Sequence, residues 1–243
     1  QSKLIPQTEL DKIKAEIPQR VYAQEFQCVF GDDASGVFKG VDQCVYGQYE
    51  SRKDGFSYIT GVDLAKHEDY TVIMTLCRET RQFVSFRRFN HLEWSVQKEA
   101  IIDEVAKYRS MCVVDATGVG DPIAEDLARA GINIKPFKIT GQNKKELIDR
   151  LAVSIEQRLI TFPNNETLVE ELKSYAYFMS DAGNIKFGAP EGMHDDCVIS
   201  MALAVWGARN FIYGKSRFRE ERKVRKFRNG PINGGFSFCT AAS

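Results

Sequence analysis

The sequence predicts an α/β fold built on a mixed sheet, and two observations carry that prediction. Between residues 58 and 89, three β-prone runs (58–65, 70–77 and 82–89) succeed one another across short polar turns, the pattern of an antiparallel meander. From Trp94 onward, stretches with helical spacing alternate with short apolar runs, so strands and helices must be layered against each other. The 243 residues suffice for one large domain with appendages, and no internal repeat is visible.

Taken in order, Glu9 to Ile17 reads as a short helix stopped by Pro18, and Phe26 to Phe30 as a strand running into the turn Gly-Asp-Asp-Ala-Ser-Gly. Residues 1–57 lack a periodic core of their own, so they are expected as a linker-like segment packed on the domain that begins at Tyr58. After the meander, Trp94 to Tyr108 places Val96, Ala100, Ile101, Val105 and Tyr108 at helical spacing, and Met111 to Ala116 is a short buried strand. In the loop Thr117-Gly-Val-Gly-Asp-Pro, Asp121 is a candidate N-cap with Pro122 at the first helical position, and Gly131 closes that helix. Ile132 to Ile139 is expected as the fifth strand, Lys144 to Arg158 as a helix, and Leu159 to Phe162 as a further short strand. Glu166 to Tyr175 is helical, Tyr175 to Ala189 is a hairpin turning at Asp181-Ala-Gly-Asn, and Asp195 to Asn210 is a strongly apolar helix. The core domain is therefore expected over 58–210, with a basic, flexible tail at 211–243.

Composition narrows the function. Lys plus Arg and Asp plus Glu both number 33, so no global basic field recruits nucleic acid, and any such attraction is local. Six widely separated cysteines without a Cys-x-x-Cys pair, and only three histidines, argue against structural zinc and for a reducing compartment. A metal site here would use oxygen ligands. With no membrane span and no signal-peptide core at the amino end, a soluble intracellular protein is expected.

Three places set carboxylates among apolar neighbours. Asp63 lies inside Ile59-Thr-Gly-Val-Asp-Leu64, Asp115 ends the run Val113-Val-Asp, and Asp195 and Asp196 open the last helix after His194. An ionised carboxylate loses water in such surroundings and needs a partner. Two carboxylates about 4 Å apart repel by about 4 kcal/mol at an effective dielectric of 20. A shared divalent cation removes that penalty, and ligands in α/β sheets gather beside the carboxyl ends of strands.

Gly61-Val-Asp63 with Asp69, Val113-Val-Asp115-Ala-Thr-Gly-Val-Gly, and Gly192-Met-His194-Asp195-Asp196 leading into Met201-Ala-Leu-Ala resemble the three signature blocks of the nuclease domain of large terminase subunits, the DNA-packaging motors of tailed bacteriophages. The resemblance covers roughly residues 58 to 210, and Tyr22-Ala-Gln-Glu25-Phe with the strand-like run after it is similar to the segment joining that family's ATPase to its nuclease. It implies a ribonuclease H-like fold of the retroviral-integrase type: three antiparallel strands, alternating helices and strands, and an added β-hairpin. It also implies an endodeoxyribonuclease that cuts concatemeric viral double-stranded DNA in the host cytoplasm with two Mg²⁺ or Mn²⁺ ions. Asp63 would bridge both ions, Asp115 would hold one, and Asp196 or Asp195 the other, with Asp69 as an outer member. The implied partners are the packaging ATPase domain, the portal and the small terminase subunit. The sequence contains no Gly-x4-Gly-Lys-Ser/Thr phosphate loop, so a nuclease without its motor is expected.

Other readings stay beside this one. A junction resolvase or transposase of the same superfamily would share the chemistry, a sugar-kinase or actin-like ATPase would need a second domain, and a non-catalytic DNA clamp would keep only the fold. Candidate DNA contacts are Lys66 (with His67), Lys186 on the hairpin, and the tail residues Arg217, Arg219, Arg222, Lys223, Arg225 and Lys226. The hairpin's Tyr175, Tyr177, Phe178 and Phe187 suit either an arm along DNA or a half-buried extension of the sheet. Successive helical residues point about 100° apart, so Asp195 and Asp196 cannot face one site equally. Both helical faces are apolar, and only the likeness to resolvases favours Asp196.

Overall fold

The computed structural model describes residues 5–29, 36–64, 69–117, 120–179 and 185–210; of these, the side chains of 120, 121, 179, 185 and 186 lie outside the description. Two short helices come first, α1 (Gln7–Glu16) and α2 (Gln19–Gln27). Pro18 separates them with a fixed φ of −57° at the start of α2. Phe26 is therefore helical where a strand was expected: Tyr22 and Phe26, four apart, stack at 5.1 Å along one helix face, and Cys28 closes the helix at φ 56°. A single 3-10 turn, Val41–Cys44, leads toward the sheet.

The sheet has five strands: β1 (Tyr58–Asp63), β2 (Thr71–Cys77), β3 (Phe83–Phe89), β4 (Met111–Asp115) and β5 (Ile134–Phe137), in the order β3-β2-β1-β4-β5. The pairs β1–β2 and β2–β3 are antiparallel, whereas β1–β4 and β4–β5 are parallel. The expected meander and the alternating second half thus meet at β1, the central strand. The parallel strands need crossovers, supplied by α3 (Trp94–Tyr108) and α4 (Gly120–Arg129). Helix α4 begins at Gly120, so Asp121 lies in its first turn and is not the N-cap.

Helix α5 (Gly141–Glu156) starts earlier than periodicity suggested, because Thr140 and Asn143 form a reciprocal capping box. Residues 159–162 do not form a strand of the sheet. Thr161 and Phe162 make single bridges to Gln82 and Val45, since neither neighbour continues alongside them. Next come α6 (Glu166–Ser174) and the hairpin β6 (Ala176–Met179) and β7 (Ile185–Gly188), a separate two-stranded sheet and not an extension of the main one. Its expected turn lies outside the described residues.

The last described element is α7 (Asp196–Asn210), buried from Asp196 through Ala204. A helix apolar on every side must be enclosed. One side rests on the sheet and the others on α5 and α6, where Leu147, Leu151, Leu168 and Leu172 are buried. Two glycines let α7 lie close on the sheet, Gly61 backbone to backbone and Gly207 over strand side chains. A Cβ on Gly61 would lie 2.1 Å from the Ser200 carbonyl oxygen, and one on Gly207 would lie 2.7 Å from Ile59 Cγ2. The opposite face is closed by α3 and α4, whose Ile101, Val105 and Leu127 pack on Val62, Ile73, Cys112 and Val114.

Candidate metal centre

Alternation along the strands decides where the acidic residues point. Val62 pairs with Val114 in the parallel β1–β4 ladder, and both belong to the α3–α4 core. Gly61 and Val113, paired with each other, instead face α7. Asp63 and Asp115, two residues further along each strand, share that α7 side at the carboxyl ends of adjacent strands. Both are half-buried. Asp115 Oδ1 accepts from the Thr117 N–H at 2.8 Å and from its hydroxyl at 2.5 Å, while the same hydroxyl accepts the Ile139 N–H at 2.9 Å. Thr117 therefore ties Asp115 to the segment after β5.

Helix α7 brings the third acid to the same end. Ser200 Oγ donates to the Gly61 carbonyl at 3.0 Å, and Gly207 sits over Ile59, so the helix runs toward the carboxyl end of β1 at its own N-terminus. One turn back from Ser200 is Asp196, about 6 Å along the helix. Two residues on from Gly61 is Asp63, about 6.6 Å along the strand. The same helical face that lies on Gly61 thus presents Asp196 beside the strand ends.

The paired aspartates sit in different surroundings. Asp196 is 7% exposed, its Oδ2 accepts the Tyr70 N–H at 3.3 Å, and it lies 3.6 Å from His194 Nδ1. Burial pushes its pKa up to about 6; the Tyr70 hydrogen bond pulls it down, Asp69 pushes it up, His194 pulls it down and Asp195 pushes it up. Asp195 Oδ2 is instead 3.3 Å from Lys144 Nζ on α5. Asp69, exposed, acts on Asp196 by charge. Lys66, His67 and the six tail cations lie outside the described residues, as does the side chain of Lys186.

Several supporting residues gave no clear sequence signal. Glu171 on α6 is buried, accepts the Cys197 N–H at 2.8 Å, and pairs with Arg88 at 3.3 Å. Burial pushes the Glu171 carboxyl upward. Placed at the start of α7, it satisfies one of the helix's free N–H groups and its positive end. Arg88 lies 3.4 Å from the Tyr70 ring centroid, and Tyr70 meets His194 edge-on at 5.0 Å. The one hint was a glutamate at position 171 between Leu168 and Leu172, on the buried side of its helix. Lys144 and Thr117 offered none, because their role depends on elements far apart in the chain.

Carboxylate oxygens alone are the donor set of a hard divalent cation. The elevated Asp196 pKa, raised in part by two neighbouring carboxylates, is the strain such a cation would relieve. Among the described residues no three acidic, histidine or cysteine side chains converge closely enough to hold a metal ion.

The family model of the terminase RNaseH-like domain matches residues 60–206. The chain belongs to that family. The large terminase subunit of Thermus virus P23-45 is 32% identical over 206 residues, covering 77% of this chain, and the chain spans 41% of that relative's length. The large terminase nuclease of thermophilic phage G20c, solved with bound magnesium, superimposes with a TM-score of 0.68 at 31% identity, over 72% of this chain and 98% of the other. The nuclease domain of Thermus phage P74-26 large terminase gives 0.66 at 30% identity, over 71% and 95%. The G20c nuclease has also been solved with bound cobalt. The ribonuclease H-like architecture expected from the three acidic blocks is thereby confirmed. No helix among the described residues is long and apolar enough to cross a membrane.

Proposed function

We propose that this terminase-family chain is a metal-dependent endodeoxyribonuclease that cuts concatemeric viral DNA during genome packaging. The observation that carries the reading is the placement of Asp63, Asp115 and Asp196 on three different elements at one end of the sheet. It is supported by relatives named as large terminase nucleases, one of them solved with magnesium. Asp63, Asp115 and Asp196 would hold two Mg²⁺ or Mn²⁺ ions, which supply a lowered pKa for an attacking water and charge neutralisation at the phosphate. Asp63, on the central strand β1, would be the ligand shared by both ions, as the resemblance implies. Thr117 fixes the orientation of Asp115, and the Tyr70 N–H fixes that of Asp196. Asp195, engaged by Lys144, acts from outside with Asp69.

Residues 58–210 form the nuclease proper in this proposal, 1–57 a segment joined to it, and 211–243 a basic tail that contacts DNA phosphates together with Lys66 and Lys186. The packaging ATPase, the portal and the small terminase subunit are the proposed partners, in the host cytoplasm. Plasmid DNA incubated with the chain should be cut with Mn²⁺ and left intact with chelator, and Asp196→Asn should abolish the cutting. Metal-independent cutting, or full activity in that variant, would rule the reading out.

A further inference from the structure

Tyr175 lies where α6 ends and the hairpin begins. Its side chain is 0% exposed, and its hydroxyl has no hydrogen-bond partner among the described residues. An unpaired buried hydroxyl costs about 1–3 kcal/mol, which makes an isolated one a feature that needs a cause. The residue cannot turn away to find a partner. Its carbonyl accepts the Val37 N–H at 2.9 Å, its ring packs on Phe38 at 5.5 Å, and a Cβ on Gly36 would lie 3.5 Å from the same carbonyl.

The surroundings indicate what the hydroxyl faces. Ala176, the next residue, pairs with Gly188, and a Cβ on Gly188 would lie 4.0 Å from Asp195 Oδ2. The start of the hairpin therefore borders the acidic centre. Burial raises the phenol's pKa most, and the charges of Asp195 and Asp63, from two different elements, raise it further. A buried donor bonded to no described residue, at the root of a hairpin that reaches Asp195, is placed to serve an oxygen held at the acidic centre.

Building on the proposed metal-dependent reading, we infer that Tyr175 is a positioning residue of the acidic centre, its hydroxyl donating to a water that a divalent cation holds beside Asp63 and Asp195. This accounts for a tyrosine where phenylalanine would fill the same volume without an orphaned group. It also gives the segment at 36–38 a function, since Val37 holds the Tyr175 carbonyl and Phe38 packs on its ring.

The test is Tyr175→Phe in the full chain, read by the Mn²⁺-dependent rise in melting temperature and by titration of bound Mn²⁺, beside wild type and Asp196→Asn. Without metal the variant should melt at or above wild type, because an unpaired hydroxyl has been removed. Its Mn²⁺ midpoint should move up about tenfold, the scale of losing an outer hydrogen bond to a metal site. If wild type responds to Mn²⁺, Asp196→Asn does not, and Tyr175→Phe matches wild type, this inference alone is overturned. A lower metal-free melting temperature in Tyr175→Phe also overturns it, since the hydroxyl would then have a protein partner. If wild type shows no response to Mn²⁺ or Mg²⁺, the metal-dependent reading falls and takes this inference with it.

Discussion

The two faces of the central sheet are built on opposite plans. On the α3–α4 side, large side chains such as Ile101, Val105 and Leu127 fill the space, and the buried polar groups are satisfied in sequence: Ser110 to Thr60 at 2.6 Å, Thr60 to Thr75 at 2.9 Å, and Thr75 to Glu104 at 3.0 Å. On the α7 side, glycines and small residues bring a helix onto the strand backbone, and half-buried or buried carboxylates collect where helix and strands end. One face stores stability in volume. The other gives up side-chain volume to bring carboxylates to the ends of helix and strands, so its tolerance to substitution should be different in kind.

The largest effect should come from adding a single methyl group. At Gly61 a new Cβ would meet the Ser200 oxygen at 2.1 Å and the Ala204 nitrogen at 2.7 Å, both backbone atoms that cannot rotate aside. Overpacking typically costs about 1–3 kcal/mol, and a backbone clash this close belongs above that range. Gly61→Ala should therefore abolish cooperative unfolding, whereas Ile101→Ala on the other face should lose about 2–5 kcal/mol and still fold. Denaturant melts of both variants check the contrast, and a Gly61→Ala protein as stable as Ile101→Ala would show that α7 can move off the strand at little cost.

The next effect is on activity. Asp63→Asn, Asp115→Asn and Asp196→Asn should each reduce DNA cleavage to background while circular dichroism stays native. Asp195→Asn should keep measurable cleavage, because that carboxylate is already engaged by Lys144. A dead Asp195→Asn with an active Asp196→Asn would reverse the assignment of the pair.

That pair marks the limit of what the sequence could supply. The order of strands and helices from Tyr58 to Asn210, apart from the strand expected at 159–162, was readable because each element is short, periodic and bounded by polar turns. The acidic blocks were readable because aspartates in apolar runs are conspicuous. Asp195 and Asp196 were not separable, since α7 is apolar on both sides. The distinction comes from Tyr70 and Lys144, brought there by β2 and α5. Phe26 was misread because an aromatic and β-branched cluster suits a strand until its partner at Tyr22, one helical turn away, is taken into account. The brace of Glu171, Arg88 and Tyr70 joins three elements, and no local pattern announces it.

A third, smaller effect concerns pH. The Asp196 carboxyl moves from 3.8 to about 6 on folding, chiefly by burial, so the folded chain prefers it neutral. A group raised in this way favours the fold fully below the unfolded pKa and loses that advantage as pH rises through the folded value. Without metal, stability should therefore fall between about pH 4 and pH 6 from this group, and Asp196→Asn should melt higher than wild type at pH 7.5 but not at pH 4. Because a cation needs the ionised form, the Mn²⁺ midpoint of wild type should also worsen below about pH 6. An Asp196→Asn protein that melts lower than wild type at pH 7.5 would show that this carboxylate stabilises the metal-free fold.

The smallest effect is the mirror image on the other face. Asp126 on α4 lies on the surface, where Lys98 reaches it at 2.8 Å and Trp94 Nε1 at 3.2 Å. Those two hydrogen bonds, Lys98 first, hold its pKa below the usual carboxylate value. A lowered group contributes stability above its unfolded pKa and loses it as pH falls through the folded one. Asp126→Asn should thus lower the melting temperature slightly at pH 7.5, by less than Asp196→Asn raises it, and the difference should vanish in acid. Added salt should erase much of it too, because exposed ion pairs are screened. Melting curves of the two variants at pH 4 and 7.5, with and without salt, would therefore give opposite signs for two aspartates on opposite sides of one sheet. If both shift the same way, net charge governs the response, and the face on which each carboxylate sits does not.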